Sequence, residues 1–152
     1  LTIMNLLYRF LFPEKPKSRY FSIFFLSLRI LFGILLLSHG IQKWAHFESL
    51  STTFPDPLGI GSVFSLSLAI FAELFCSIFF IAGFLYRLVL LPMIATMAIA
   101  FIFVHSGSVA NGGELAFIYL AMFVLLYIAG PGRYSFDRVI SYGLMISQKQ
   151  TI

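Results

Sequence analysis

Two charged residues of this sequence lie inside long apolar stretches. Arg29 lies in the stretch Phe21–Ile41, and Glu73 lies in the stretch Val63–Leu85. If both stretches are antiparallel helices, Arg29 lies roughly 18 Å and Glu73 roughly 16 Å from the same end of the bundle, at about 1.5 Å per residue. An unpaired charge in the middle of a bilayer is costly. The sequence therefore predicts a buried ion pair between them, which either fixes helix packing or takes part in a site.

A second polar group lies where apolar stretches end or begin. His39 and Lys43 lie near the end of the first stretch, His105 follows the third, and Glu114 opens the fourth. Such side chains can hydrogen-bond a carbonyl head group, while the helix surface accommodates an apolar tail. These four residues are therefore candidates for a quinone-binding site.

The same histidines could in principle bind a haem or a metal ion. Only His39 and His105 lie at that depth, and neither a cysteine nor a local histidine pair accompanies them. No metal site is predicted. The single cysteine, Cys76, also excludes a redox mechanism that needs paired cysteines.

Long apolar stretches must position these residues. Of the 152 residues, 60% are hydrophobic and 11% are charged, whereas a soluble domain has about 25% charged residues. A helix of about 20 apolar residues crosses a bilayer. The sequence therefore predicts an all-α membrane protein in contact with lipid. We expect a four-transmembrane-helix bundle in residues 20–130, with helices at about 21–41, 63–85, 88–104 and 114–129.

Basic residues predict the orientation of this bundle. Eight of them lie in residues 1–19, in the loop between helices two and three, or in residues 131–152, whereas Lys43 alone lies in the other two loops. By the positive-inside rule, both termini are expected on the cytoplasmic side, in a bacterial inner membrane. Residues 1–19 and 131–152 are predicted to be interfacial segments, the second an amphipathic helix. The basic residues form no continuous stripe, so we do not expect nucleic-acid binding.

The loop after the first helix is rich in proline and glycine. It contains Phe54-Pro55-Asp56-Pro57-Leu58-Gly59, in which the prolines favour an extended chain and the glycine a turn. Such a loop could fold over the polar group as a lid, or it could be ordinary connecting structure.

Short motifs in a fixed order resemble the DoxX-type membrane proteins. They are His39-Gly40-x-x-Lys43, residues 54–59, Ala72-Glu73, Val104-His105, Glu114-Leu115-Ala116 with Tyr119-Leu120, and Gly130-Pro131-Gly132-Arg133-Tyr134-Ser135-Phe136-Asp137. The resemblance covers about residues 29–137. It implies a small four-helix bacterial membrane protein, and many members are labelled oxidoreductases or linked to membrane redox complexes. On this basis we expect a quinone-binding or redox-associated subunit of a membrane oxidoreductase system.

The sequence leaves open whether the chain is an enzyme. It has no self-contained catalytic motif and no GxGxxG nucleotide-binding motif, so no cofactor is expected within the chain. Redox chemistry would need a quinone or a partner protein of a membrane complex. The alternative is a non-catalytic accessory or scaffold subunit of a larger membrane complex. A solute transporter is disfavoured because no inverted repeat is evident.

Overall fold

Four long apolar helices form the body of the structure, a computed structural model that describes residues 18–150. They are α1 (Arg19–Ala45), α2 (Ser62–Ala82), α3 (Tyr86–Val104) and α4 (Glu114–Ala129). All four lie in segments long and apolar enough to cross a membrane. The predicted fold class is confirmed, although α1 extends four residues beyond its predicted end.

Each helix packs against the next along the chain, α1 on α2, α2 on α3 and α3 on α4. This is the up-and-down arrangement of a four-helix bundle. Large buried side chains fill its centre, among them Leu36, Phe80, Tyr86, Leu90 and Phe123. The outer faces expose apolar side chains such as Ile34, Phe71 and Leu125. A surface of this kind is suited to contact with lipid.

Two glycines set the register between α1 and α2. A Cβ atom on Gly40 would lie 2.6 Å from the backbone nitrogen of Leu74, and one on Gly33 would lie 2.3 Å from Cγ1 of Ile81. At Gly40, where the neighbouring atom is backbone, only a residue without a side chain permits such an approach of the two helices. The two helices are therefore locked with Gly40 opposite Leu74 and Gly33 opposite Ile81.

Two of the spanning helices contain wider, π-helical turns. One covers Phe71–Phe75 in the middle of α2, and the other covers Ala100–Val104 at the end of α3. Such turns shift the side chains that follow them relative to a regular α-helix, and they are often found at functional sites. An irregular turn at Val109–Gly113, with non-helical backbone angles at Asn111 and Gly112, leads into α4.

A fifth helix, α5 (Phe136–Gln150), follows the bundle. It lies where the sequence predicts an amphipathic tail. Asp137 and Ser141 are buried, whereas the apolar residues Phe136 and Val139 are exposed. Its position on a membrane surface stays a prediction. Of the predicted N-terminal interfacial segment, residues 1–17 lie outside the described part of the chain.

Candidate functional site

An ion pair between α1 and α2 is the most buried charged contact near one end of the bundle, which we call the Lys43 end. The ammonium nitrogen of Lys43 lies 2.5 Å from Oε2 of Glu73. The Glu73 side chain is 6% exposed and that of Lys43 is 24% exposed. Two opposite charges that are this close and this poorly hydrated stabilise one another, and the loss of one leaves the other uncompensated.

Local backbone features bring the two charges together. Glu73 lies in the π-helical turn Phe71–Phe75. The backbone of Gly40 contacts that turn, since a Cβ atom on Gly40 would lie 2.7 Å from the carbonyl carbon of Glu73. Lys43 follows Gly40 by about one helical turn, so its long side chain reaches the Glu73 carboxylate.

A cavity of about 240 Å³ adjoins this ion pair. Its polar lining consists of Lys43, Glu73, Ser65 and Thr96. The rest of the lining is largely apolar and comes from the loop after α1 and from the facing sides of α2 and α3: Phe54, Pro55, Pro57, Leu58, Ile60, Leu68, Ala69, Ile99, Ala100 and Val104. The cavity thus combines a compact charged pair with apolar walls, as ligand sites commonly do.

Several apolar side chains of the cavity lining are exposed. Leu68 of α2 and Val104 of α3 are 44% and 40% exposed, and Leu58 and Ile60 of the loop are also exposed. Because Leu68 and Val104 are exposed apolar residues of spanning helices, this part of the cavity lining belongs to the apolar outer surface of the bundle. A larger surface groove of about 580 Å³ is lined by residues 44–49, a single segment that contains neither member of the ion pair.

Asp56 holds the loop against α2. Its carboxylate accepts hydrogen bonds from the Ile60 amide at 3.0 Å, the Gly61 amide at 2.8 Å and the Ser65 hydroxyl at 2.8 Å. The hydrogen bond from the Gly61 amide, helped by the Ser65 hydroxyl, lowers the pKa of Asp56. The loop therefore forms one wall of the cavity through a network centred on a carboxylate.

The other three predicted binding residues lie in α1, directly after α3 and at the start of α4. His39 packs the edge of its ring against buried Tyr119 of α4, with ring centroids 6.2 Å apart. His105 is hydrogen-bonded through Nδ1 to the carbonyl oxygen of Asn111 at 3.1 Å, and Glu114 is exposed at the start of α4. The described lining of the cavity includes Lys43 but none of these other three residues.

The predicted Arg29–Glu73 ion pair is wrong, because each residue has other partners. Arg29 donates hydrogen bonds to the carbonyl oxygens of Ile81 at 3.0 Å, Pro131 at 2.9 Å and Tyr134 at 2.5 Å. It lies at the opposite end of the bundle, which we call the Arg29 end.

The error came partly from the depth at which the sequence placed Arg29 in α1 and partly from taking the ends of α1 and α2 to be level. The helix α1 ends at Ala45 and not at Ile41, so Arg29 lies deeper than predicted. The register set by Gly33 places Arg29 near Leu85, on the order of 18 Å from the level of Glu73 at about 1.5 Å per residue.

Asp137 is a structural residue that the sequence reasoning missed. Its carboxylate accepts hydrogen bonds from the Leu85 amide at 2.8 Å and the Tyr86 amide at 2.9 Å, where α3 begins. Its own amide donates to the carbonyl oxygen of Gly83 at 3.0 Å. Burial raises the pKa of Asp137, although the two amides and the nearby Arg29 oppose this shift. The motif of residues 130–137 contains Asp137 and so marked this segment in the sequence. It did not identify the start of α3 as the partner of Asp137.

The described residues form no group of three histidine, cysteine, aspartate or glutamate side chains that could hold a metal ion. The geometry offers a largely apolar cavity between α2, α3 and the loop after α1, with a charged pair in its lining. The fold and the site thus define a small four-helix integral membrane protein.

Comparison with known proteins identifies the family of this membrane protein. The DoxX family model matches residues 24–106, more than half of the chain, and the chain belongs to the DoxX family. This match includes Arg29, Lys43 and Glu73 and ends just after α3.

Two relatives from bacteria extend over most of the chain. An uncharacterized membrane protein of Mycobacterium tuberculosis is 28% identical over 149 residues, covering 88% of this chain and 87% of the relative. An uncharacterized protein of Haemophilus influenzae is 30% identical over 127 residues, covering 79% of this chain and 92% of the relative. No solved structure gives a significant match.

Proposed function

We propose that this protein binds the head group of a quinone in the cavity beside Lys43 and Glu73, as a subunit of a membrane oxidoreductase system. The observation that carries the proposal is a buried ion pair in the lining of a largely apolar cavity that also includes Leu68 and Val104, exposed apolar residues of two spanning helices. A lipid-soluble molecule with a small polar head matches both parts of this surface.

The ion pair suits both redox forms of a quinone. An ammonium group has three N–H donors, so Lys43 can donate to a quinone carbonyl while it remains bound to Glu73. The Glu73 carboxylate can accept a hydrogen bond from a quinol hydroxyl. Because either head group is neutral, the charges of the pair stay balanced, whereas an anionic head group would add a second negative charge beside Glu73.

The size of the cavity supports a head group with its tail outside. Pockets for whole drug-sized ligands measure roughly 300–1,000 Å³, and this cavity measures about 240 Å³. We place the apolar tail between α2 and α3, past Leu68 and Val104. A partner protein would supply or remove the electrons, since the quinone is the redox group of this proposal.

The site would belong to the outer half of a bacterial inner membrane. At the Arg29 end, Arg87 lies in the first turn of α3 and Arg133 lies in the connection between α4 and α5, while Arg19 opens α1 and Arg138 follows in α5. The basic residue at the Lys43 end is Lys43, whose charge is balanced by Glu73 in the ion pair. The positive-inside rule then places the Arg29 end and both termini on the cytoplasmic side.

Binding can be measured with the single tryptophan of the chain. Trp44 follows Lys43 directly, so a quinone in the cavity should quench its fluorescence. Purified protein in detergent is titrated with a short-tailed quinone, and organic extraction followed by mass spectrometry identifies any co-purified quinone. We expect saturable quenching in the wild type. We expect Kd to rise at least about tenfold in Lys43→Met, which equals about 1.4 kcal/mol.

The matched control is Glu114→Gln, a change at an exposed carboxylate outside the cavity lining. It should leave Kd unchanged, whereas a site built from His105 and Glu114 would lose affinity. A thermal melt of each variant separates lost binding from lost folding. The proposal is overturned if the folded wild type shows neither co-purified quinone nor saturable quenching.

The accessory role remains a second candidate, favoured by the bonding of Arg29. Arg29 donates hydrogen bonds to the backbone carbonyls of Ile81, Pro131 and Tyr134, which is a packing role. If the chain is an accessory subunit, Lys43→Met should leave the host complex active. Substitutions on the exposed helix faces should instead prevent assembly of that complex.

A further inference from the structure

Thr96 of α3 lies in the lining of the cavity beside the ion pair. In helices, serine and threonine hydroxyls commonly bond back to a carbonyl oxygen about one turn earlier. Ser27, Ser38 and Ser67 of the spanning helices do so, at 3.0, 2.7 and 2.8 Å. The hydroxyl of Thr96, in contrast, makes no hydrogen bond with the described part of the chain. It is therefore available to a ligand in the cavity.

Thr96 lies nearly level with Glu73 on the neighbouring helix. α2 ends at Ala82 and α3 begins at Tyr86, so a short turn joins two antiparallel helices. Glu73 precedes Ala82 by nine residues, and Thr96 follows Tyr86 by ten. At about 1.5 Å per residue, the two levels agree within roughly 3 Å. α3 also packs against the π-helical turn that contains Glu73, so the ion pair and the hydroxyl line the cavity at a similar depth.

The other hydroxyl of the described lining already has a partner. Ser65 donates to Oδ1 of Asp56 at 2.8 Å, which helps to hold the loop. Thr96 is half-buried among lining residues that are mostly apolar. A hydroxyl that is withdrawn from water without a new hydrogen bond costs free energy. A ligand that fills the cavity is favoured if it offers Thr96 such a bond.

We infer that Thr96 determines the specificity of the cavity by binding a second oxygen atom of the head group, while Lys43 binds the first. The inference deepens the proposed function and rests on it for the contact with Lys43. It names the substrate class as rings with two separated oxygen atoms, such as para-quinones and their quinols. A ring with one oxygen atom would leave the Thr96 hydroxyl without a partner.

A hydroxyl group suits both redox forms of such a ring. It has one O–H donor and two acceptor lone pairs, so Thr96 can donate to a quinone carbonyl or accept from a quinol hydroxyl. Lys43 and Glu73 divide the same two tasks at the first oxygen. The head group would thus be held at two points in either form.

Titration calorimetry with two ligands tests the role of Thr96. Menadione has two carbonyl groups on a two-ring frame, and α-tetralone has one carbonyl group on a similar frame. Each is titrated into purified protein in detergent. We expect Thr96→Val, which replaces the hydroxyl with a methyl group, to raise Kd for menadione at least about threefold, as the loss of one neutral hydrogen bond does. Kd for α-tetralone should not change, because its carbonyl group takes the stronger, charged donor Lys43.

Thr96→Ser retains the hydroxyl and should bind menadione like the wild type. The control is Ser67→Ala, which removes a hydroxyl that bonds within α2 and lies outside the described cavity lining. It should leave both Kd values unchanged. Melting curves show which variants fold, and Thr96→Ala provides the same comparison if the valine variant does not.

An equal Kd for menadione in the wild type and in the folded Thr96 variant would overturn the inference. An equal rise in Kd for both ligands would also overturn it, because it would report a change in packing. In either case menadione binds the wild type, and a weaker binding by Lys43→Met would leave the proposed function standing. If menadione does not bind the wild type, the proposed function fails and the inference fails with it. The two failures can therefore be told apart.

Discussion

The carboxylate of Asp137 binds the amide of Tyr86, at the first residue of α3, from a distant part of the chain. The oxygen–nitrogen distance is 2.9 Å, and the neighbouring Leu85 amide binds the other carboxylate oxygen at 2.8 Å. A helix begins with amides that have no partner within the helix. Here a residue of α5 supplies the acceptor, so the chain beyond the bundle helps to complete α3.

Replacing Asp137 with alanine should therefore destabilise the whole bundle. Two amides at the start of α3 would lose their acceptor, and the expected loss is about 1–3 kcal/mol. Thermal melting in detergent should show a lower Tm. Arg133→Ala, at an exposed position in the same motif, is the control and should melt like the wild type. Equal Tm values for both variants would contradict the capping role of Asp137.

Arg29 should be energetically independent of Glu73. Arg29→Gln removes donors from buried carbonyls and should cost at least about 2 kcal/mol. Combined with Glu73→Gln, the two losses should add to within about 0.5 kcal/mol, because the residues are far apart and share no partner. Lys43→Met with Glu73→Gln should instead be less destabilised than the sum, because removing both charges avoids an unpaired one. Strong coupling of Arg29 to Glu73 would restore the original ion-pair hypothesis.

The fold was predictable from the sequence because the bilayer imposes a simple pattern on it. Apolar length predicted all four spanning helices, and Pro131-Gly132 lies just after the end of α4 at Ala129. The end of α1 was less predictable, since Gln42, Lys43 and Trp44 continue the helix although they are not uniformly apolar. Polar residues near a helix end do not reveal whether the helix stops.

The charged residues Lys43 and Glu73 stood out in the sequence, but their pairing did not. Lys43, Glu73 and Arg29 stood out as charges in or beside apolar sequence, yet their partners depend on helix register. That register follows from the contact of Gly40 with the backbone of α2, which hydropathy does not encode. The partners of Arg29 are backbone carbonyls, which every residue carries, so no sequence signal could identify them. No sequence pattern predicted the π-helical turn at Phe71–Phe75 either.

Gly40 should be the glycine of α1 that tolerates substitution least. A Cβ atom there would meet the backbone of Glu73 and Leu74, which cannot move aside, whereas a Cβ atom on Gly33 would meet the flexible side chain of Ile81. We expect Gly40→Ala to cost about 1–3 kcal/mol, as overpacking does, and Gly33→Ala to cost less. Gly143→Ala, where no atom lies within 4 Å, is the control. Melting temperatures in detergent give the order, and a Gly33 variant less stable than the Gly40 variant would contradict it.

The loop beside the cavity should loosen in acid because of Asp56. Its hydrogen bonds with the Gly61 amide and the Ser65 hydroxyl favour the ionised carboxylate and lower its pKa. A carboxyl group whose pKa is lower in the folded state stabilises that state above its unfolded pKa, and the effect is lost as the pH falls through the folded pKa.

Asp56→Asn lacks this titration. The wild type should therefore have the higher Tm at neutral pH, and the difference should shrink as the pH is lowered past the ordinary aspartate pKa, about 3.9. Melting curves of both proteins across this range measure the effect, with Glu48→Gln, an exposed change in the connection before the loop, as the control. A difference in Tm that stays constant with pH would show that the ionisation of Asp56 does not hold the loop.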